Sequence, residues 1–353
     1  MLNNNTSHSH SFRGTVMPQF GLFDYQKQIA LLEKAGDPLI ALNKMIDWEQ
    51  FRSLIDRARE KPRKSSAGAK GYDSILLFKI LILQSLYNLS DEAMEFQILD
   101  RYSFSKFLGI RQGAKVPDAT TIFRFRDELA KAGVIEFLFA KFDSFLHANG
   151  FRAQKGQIVD ASIVRVPTQR NTREENKDIK EGKSISSWSK AKRRQKDTDA
   201  RWTKKNGKSF FGYKNHVSID VGHKFIRSCD VTDAGVHDSQ IFTELLDPSN
   251  TSKDVWADSA YRSETALQAL QDQGFREHIQ RKGCRHKKLT AREKQGNRSR
   301  ARIRCRVEHV FGVMAMHTGA TVMRGIGAVR IKAEIGLRNM AYNMTRFAML
   351  ASP

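Results

Sequence analysis

Three acidic residues sit where a carboxylate needs a reason. Asp160 interrupts the apolar run Ile158-Val159-Asp160-Ala161, and an isolated acid in such company is costly to bury unless it binds something. Asp258 follows Trp256-Ala257 and precedes Ser259-Ala260-Tyr261-Arg262, at the end of a short strand, the place where ligands gather in open α/β sheets. Glu308 lies in Arg304-Cys305-Arg306-Val307-Glu308, with Arg304 four residues earlier on the same helix face, able to steady the carboxylate or touch a phosphate. Any one of these acids reads equally well as a surface or capping group. Carried in order by strand, strand end and helix, they suit metal-assisted phosphoryl transfer. Two divalent cations roughly 4 Å apart activate an attacking oxygen and stabilise a leaving one. Hard cations take carboxylate oxygens, so Asp160, Asp258 and Glu308 are the candidate metal ligands and must converge from rigid elements.

The charge pattern names a partner for that chemistry. The 353 residues carry 60 Lys and Arg against 38 Asp and Glu, a formal charge of +22, and a polyanion is the usual counterpart of such an excess. The charge is clustered. Residues 169–208 hold 14 basic and 6 acidic residues, and residues 281–306 hold 12 basic residues against Glu293 alone. The first of these, with few aliphatics, reads as an insertion unable to build a core. Both segments read as DNA-contacting surface rather than merely solvated faces.

Other classes are disfavoured. Cys229, Cys284 and Cys305 are scattered and odd in number, which argues against a disulfide framework and fits a reducing cytosol. Cys284 and His286 lack the second pair a zinc site needs. The most apolar stretch, Ile75 to Leu89, is interrupted by Lys79, Gln84 and Asn88 and is too short for a membrane span. The polar first residues have no apolar signal core.

The elements that must position the acids follow from periodicity. After an expected disordered tail at 1–19, residues 20–150 read as an all-α region. It holds a buried helix from Tyr72 to Leu89 and a second helix from the Ser90-Asp91 cap to about Leu108. A third is capped by Asp118, and a fourth runs from Val134 to Ala148 and stops at Asn149-Gly150. From 151 to 350 the pattern is α/β: strands at Gln157–Val166, Tyr213–Asp220, Lys224–Thr232, Asp254–Ala257 and Arg276–Gln280, with the basic insertion at about 168–209. Helices are expected at His237–Leu246, at Glu264–Asp272, and as one long element from about Thr290 to Met316 carrying Glu308. The fold class is therefore a mixed sheet flanked by helices, preceded by a helical domain.

Six motifs in this order resemble the bacterial insertion-sequence transposases of the DDE class, close to the group called insertion sequence five. They are Pro117-Asp118-Ala119-Thr120-Thr121-Ile122-Phe123-Arg124-Phe125-Arg126, Val159-Asp160-Ala161-Ser162, Phe211-Gly212-Tyr213-Lys214-Asn215-His216, Val236-His237-Asp238, Ala257-Asp258-Ser259-Ala260-Tyr261, and Arg304 through Glu308 with His309-Val310-Phe311-Gly312. The resemblance runs from about Phe20 to Phe347. It implies an RNase H-like catalytic domain, Mg2+ or Mn2+ (two ions), and cleavage and strand transfer at element ends in the bacterial cytoplasm, at the nucleoid. It makes Arg304 a catalytic residue beside the three acids. Related triads often carry a Tyr three residues before the helix arginine and a Lys seven after the glutamate; here those places are Ala301 and Ala315.

Candidate DNA contacts are Arg124, Arg126, Lys214, Arg262, Arg302 and Arg306. Leu99 to Arg126 could form a helix-turn-helix that reads the element's ends, with Arg124 and Arg126 on its second helix. A homodimer contact through the Tyr72–Leu89 helix is the alternative use of this region. Two other functions share the fold: a nuclease that cuts without joining, and a DNA-binding derivative without catalysis. The presence of all three acids argues against the second.

Overall fold

The structure, a computed structural model, describes residues 24–60, 71–111, 113–169, 171–183, 188–284, 286, 288–318 and 322–351. The expected tail at 1–19 and residues 170 and 184–187 of the basic insertion lie outside the described residues.

The first part is helical throughout: α1 (Asp24–Lys34), α2 (Pro38–Met45), α3 (Arg52–Arg59), α4 (Ser74–Tyr87), α5 (Asp91–Asp100), α6 (Tyr102–Leu108), α7 (Ala119–Lys131) and α8 (Val134–Ala148). Caps set several starts. The side chains of Asp73, Ser90 and Asp118 accept backbone N–H groups of the turns they begin, satisfying donors that a helix start leaves open. The anticipated second helix is two helices, α5 and α6, broken at Arg101. A ten-residue connection from Gly109 to Asp118 then separates α6 from α7. A helix-turn-helix needs a turn of three or four residues, so that expectation is corrected.

Six strands form one sheet: β1 (Gln157–Arg165), β2 (Arg201–Lys205), β3 (Lys208–Asp220), β4 (Ile226–Asp233), β5 (Asp254–Ala257) and β6 (Arg276–Ile279). β1 pairs antiparallel with β3 and parallel with β5, β5 pairs parallel with β6, and β3 also pairs antiparallel with both β2 and β4. Central β1 with antiparallel partners on one side and parallel ones on the other is the RNase H-like arrangement. Further helices are α9 (Arg173–Lys180) and α10 (Lys190–Gln195) in the insertion, α11 (Glu264–Asp272), α12 (Ala291–Arg304), α13 (Arg306–Thr318) and α14 (Ala328–Ala351). None of the described helices is long and apolar enough to cross a membrane.

The main core crosses the change of pattern at residue 150. Leu83, Phe107, Phe142 and Leu146 from the helical part share one buried cluster with Ile158, Val217, Ile219 and Phe225 of the sheet. The α4 helix is enclosed in this core, with ten buried residues and α14 packed against it. It therefore offers no surface for a homodimer, which corrects that use of the Tyr72–Leu89 segment. Helix α14 was not anticipated. It packs on α4, α7, α8 and β4. Its Asn343 exchanges hydrogen bonds with the backbone of Ile226 (2.9 and 2.7 Å), and its Asn339 bonds Asn215 of β3 at 2.8 Å. Buried amides satisfied this way fix the helix against the sheet.

The 237–246 segment forms two 3-10 turns, Asp238–Gln240 and Thr243–Leu245, rather than an α-helix. Its ends are held apart. Lys214 grips Asp238, and the Gln157 side chain bonds the backbone of Asp247 in both directions. A 3-10 turn advances further per residue than an α turn and spans such a gap better.

Candidate active site

The strand register brings the two aspartates together. Gln157 is level with Val255 and Ile158 with Trp256. Carried two residues past the paired segment, the same register sets Asp160 beside Asp258, and the Asp258 charge acts on the Asp160 carboxyl. Gly156 makes this start possible. At its φ of +86°, an added Cβ would lie 2.5 Å from the Trp256 ring and 2.6 Å from the Asp254 carbonyl oxygen. No other residue permits so close an approach of β1 to β5.

Asp160 is largely buried, its side chain 13% exposed. Its Oδ1 accepts the Ala161 N–H at 2.8 Å, and its Oδ2 accepts Nη1 of Arg304 at 2.5 Å. Burial pushes its carboxyl up to about 6, aided by the nearby charges of Asp258 and Glu308 and opposed by Arg304 and the Ala161 N–H. Asp258 ends β5 and caps the following 3-10 turn, accepting the Ala260 N–H at 2.8 Å. Glu308, in the first turn of α13, is 61% exposed and stands 3.5 Å from Nη2 of Arg304. One guanidinium thus bridges the first and third acids.

Arg304 and Glu308 do not share one continuous helix. The expected long helix breaks at Cys305 into α12 and α13. The two halves obey different surroundings: α12 buries no residue, whereas α13 buries Val307, Val310 and Met314. The break lets α13 turn its apolar side to the core while α12 stays in solvent.

Two further residues stand at the site, and the first was missed from sequence. Tyr261 is fully buried, and its hydroxyl has no hydrogen-bond partner among the described residues. Burial, with Asp160, Asp238 and Asp258 nearby, raises its phenol far above the usual range. Asp238, which the sequence offers as the replacement acid because it follows a strand and begins the next element, lies near the same tyrosine and is paired with Lys214 at 2.8 Å. His216 on β3 is also buried; its imidazole is driven down to about 4 by burial, against the pull of Asp238.

The donor set fits divalent metal. All ligands on offer are carboxylates, the choice of hard cations. Among the described residues no three acidic, His or Cys side chains already stand as a ligand set. Among the described residues Arg304 is the cation paired with Asp160 and Glu308, the Asp160 carboxyl is pushed up to about 6, and the Tyr261 hydroxyl has no partner. Three acids against one arginine make a site that favours added positive charge.

The candidate DNA contacts divide. Arg124 and Arg302 are exposed. The other four have partners inside the fold. Arg126 pairs with Asp91 at 2.7 Å and also bonds Gln84; Lys214 holds Asp238; Arg262 meets Glu277 at 3.2 Å; Arg306 donates to the Val221 carbonyl at 2.9 Å. Each of these four already has an acid, amide or carbonyl partner on this chain, whereas Arg124 and Arg302 are open to solvent. Lys294, Arg298 and Arg302 on α12 are all exposed at four-residue spacing, a cationic stripe about 12 Å long.

Comparison with known proteins converges on one family. Residues 152–344 match the family described as transposase DDE domain, and residues 27–128 match a transposase domain, DUF772. Over 227 residues the chain is 28% identical to the transposase for insertion sequence element IS1106 of Neisseria meningitidis serogroup B, across 64% of this chain and 77% of that protein. A solved structure, the piggyBac transposase synaptic complex with hairpin DNA, aligns with 91% of this chain and 76% of its own at a TM-score of 0.46 and 12% identity.

Proposed function

We propose, on the premise that this chain belongs to the DDE transposase family, that it cuts DNA at the ends of an element of the insertion-sequence-five group and joins the freed 3′-hydroxyl to target DNA. The observation that carries this reading is the convergence of Asp160, Asp258, Glu308 and Arg304 from β1, the end of β5, α13 and α12. In the joining step the element's 3′-oxygen forms a bond to a target phosphorus while the target's own 3′-oxygen leaves.

Asp160, Asp258 and Glu308 would hold two Mg2+ or Mn2+ ions, which supply activation of the attacking oxygen and neutralisation of the leaving one. The chain's own part is positional. Gly156 sets the strand register, Arg304 keeps Asp160 and Glu308 oriented against their mutual repulsion, and Lys214 holds Asp238 beside Tyr261. The stripe Lys294-Arg298-Arg302 on α12, which contacts β5, lies where backbone phosphates entering the site need countercharge. The protein works as a homodimer on DNA, one copy for each end, in the bacterial cytoplasm at the nucleoid.

The test is strand transfer with a pre-cut duplex bearing the element's end, a supercoiled target and Mg2+, comparing the chain with Asp160→Ala. Joined product from the unaltered chain alone is expected. Cutting without joining would favour the nuclease reading, and binding without metal-dependent chemistry the inactive derivative.

A further inference from the structure

A second basic surface lies away from the acids, in a groove of about 690 Å³ where the insertion meets α7 and the residues leading into α14. Its walls carry Arg193, Arg194, Arg324 and Arg330. The groove also contains acids, but each is answered within the fold. Asp91 pairs with Arg126 at 2.7 Å, Glu334 faces the same guanidinium at 3.7 Å, and Asp127 binds Arg330 and Lys131 at 2.8 and 2.7 Å. Arg193, Arg194 and Arg324 are exposed and have no acidic partner among the described residues. The surplus charge on the groove is therefore positive and accessible.

The groove is built rather than incidental. The insertion cannot make a core, but two of its aspartates dock it. Asp197, itself buried, accepts the Tyr213 hydroxyl at 2.8 Å and the Gly327 N–H at 3.1 Å, and Asp199 accepts the Ala328 N–H at 2.8 Å. These bonds cap the start of α14 and pin the segment just after α10, so the arginines of α10 are held opposite Arg324 and Arg330. The C-terminal end of β1 reaches the same place, where Arg165 bridges Val322.

We infer that this groove binds the sugar–phosphate backbone of the DNA duplex, with Arg193 and Arg194 as its phosphate contacts. The inference rests on the DNA-joining function proposed above and adds a site to it. It also gives the insertion a purpose: a docked arm that carries cations to a fixed distance from the chemistry.

The experiment measures binding of a 30-base-pair duplex without metal across a salt series. It compares the full chain, Arg193→Ala/Arg194→Ala and Lys294→Ala/Arg298→Ala. The first pair of arginines makes no internal ion pair, so circular dichroism and Tm should match the unaltered chain. Each neutralised phosphate contributes about 0.9 to the slope of log K against log salt, so the double variant should flatten that slope by about two units. Combining it with the α12 variant should flatten it by about four. An unchanged slope, while the unaltered chain binds and the α12 variant is weakened, would overturn the groove and leave the function standing. Loss of self-association with full duplex binding would likewise overturn it, as a protein contact instead. Absence of duplex binding by the unaltered chain would overturn the reading on which the groove depends.

Discussion

Two carboxylates of the same sheet, each buried and each paired with an arginine, have opposite uses. Asp220, at the end of β3, is level with Gln157 of β1. It accepts the His223 N–H at 2.6 Å, the Phe225 N–H at 3.1 Å and Arg227 Nε at 3.0 Å. Arg227 gives its remaining donors to Asp143 and the Phe151 carbonyl, both at 2.8 Å. Both carboxylate oxygens of Asp220 and three nitrogens of Arg227 are answered there, although a nearby ring nitrogen of His223 has no hydrogen-bond partner among the described residues. Asp160, three residues along β1, has only Arg304 and one backbone N–H, with two more acids facing it and the Nε of Arg304 buried without a partner. Burial beside an arginine therefore does not mark a functional acid. What separates the two is like charge: Asp160 feels Asp258 and Glu308 with one arginine among them, whereas Asp220 is surrounded by donors.

The contrast breaks most sharply by substituting each aspartate with asparagine. Asp160→Asn should lower joining at least about a thousandfold, the loss of roughly 4 kcal/mol of transition-state stabilisation, while leaving urea stability equal or higher. Asp220→Asn should do the reverse. It leaves buried Arg227 with Asp143 as its acidic partner and weakens the bonds to the 223–225 turn, costing about 1–3 kcal/mol in urea unfolding, while the folded fraction keeps its activity. Comparable activity losses per folded molecule in both variants would erase the distinction.

The two arginines should separate next. Arg304→Ala is expected to cut joining about a hundredfold, with duplex affinity changed by less than about threefold, because its guanidinium faces acids rather than solvent. Arg306→Ala loses one hydrogen bond to the Val221 carbonyl and should cost about 1 kcal/mol of stability with little effect on joining. Equal losses of duplex binding in the two would restore α12 and α13 to a plain basic surface.

The smallest effect is on pH. The Asp160 carboxyl rises in the folded chain from an ordinary 3.8 to about 6. The folded state therefore holds a proton that the unfolded chain has already released. Without metal, stability should fall as pH rises from about 4 to 6 and then level off. Asp160→Asn should remove that portion of the pH dependence. Metal binding needs the ionised form, so joining should rise through the same upper limit near 6. A stability profile identical in Asp160→Asn would disconnect this acid from the site's electrostatics.

Much of this was legible in the sequence. The three candidate acids stood out because each broke a local rule: a charge within an apolar strand, at a strand end, or four residues after an arginine. The strands at Asp254–Ala257 and Arg276–Ile279 and the helices at Val134–Ala148 and Glu264–Asp272 followed from periodicity and their caps or stops. What stayed hidden depends on partners distant in sequence. The arginines of the Pro117–Arg126 motif looked alike, but Arg126 has Asp91 opposite it and Arg124 has open solvent. Tyr261 looked like part of a motif, and only the fold shows its hydroxyl enclosed among acids. The insertion reads from composition as unable to build a core. It supplies β2 to the sheet edge, and Trp188 is buried with Lys192 over its ring at 4.7 Å. Helix α14 was overlooked although Ile331, Ile335, Met340, Met344 and Phe347 are spaced for a buried face; its polar Asn339 and Asn343 masked a pattern that only their partners on β3 and β4 explain.

The central claim is that Asp160, Asp258 and Glu308 hold metal together, and metal-directed cutting of the polypeptide tests it most directly. With Fe2+ substituted for Mg2+ in the presence of ascorbate and peroxide, backbone breaks should appear near residues 160, 258 and 308. They should be suppressed by excess Mg2+ and be absent in Asp160→Asn. Breaks confined to other segments, or breaks at these three places that persist in Asp160→Asn, would contradict the assignment.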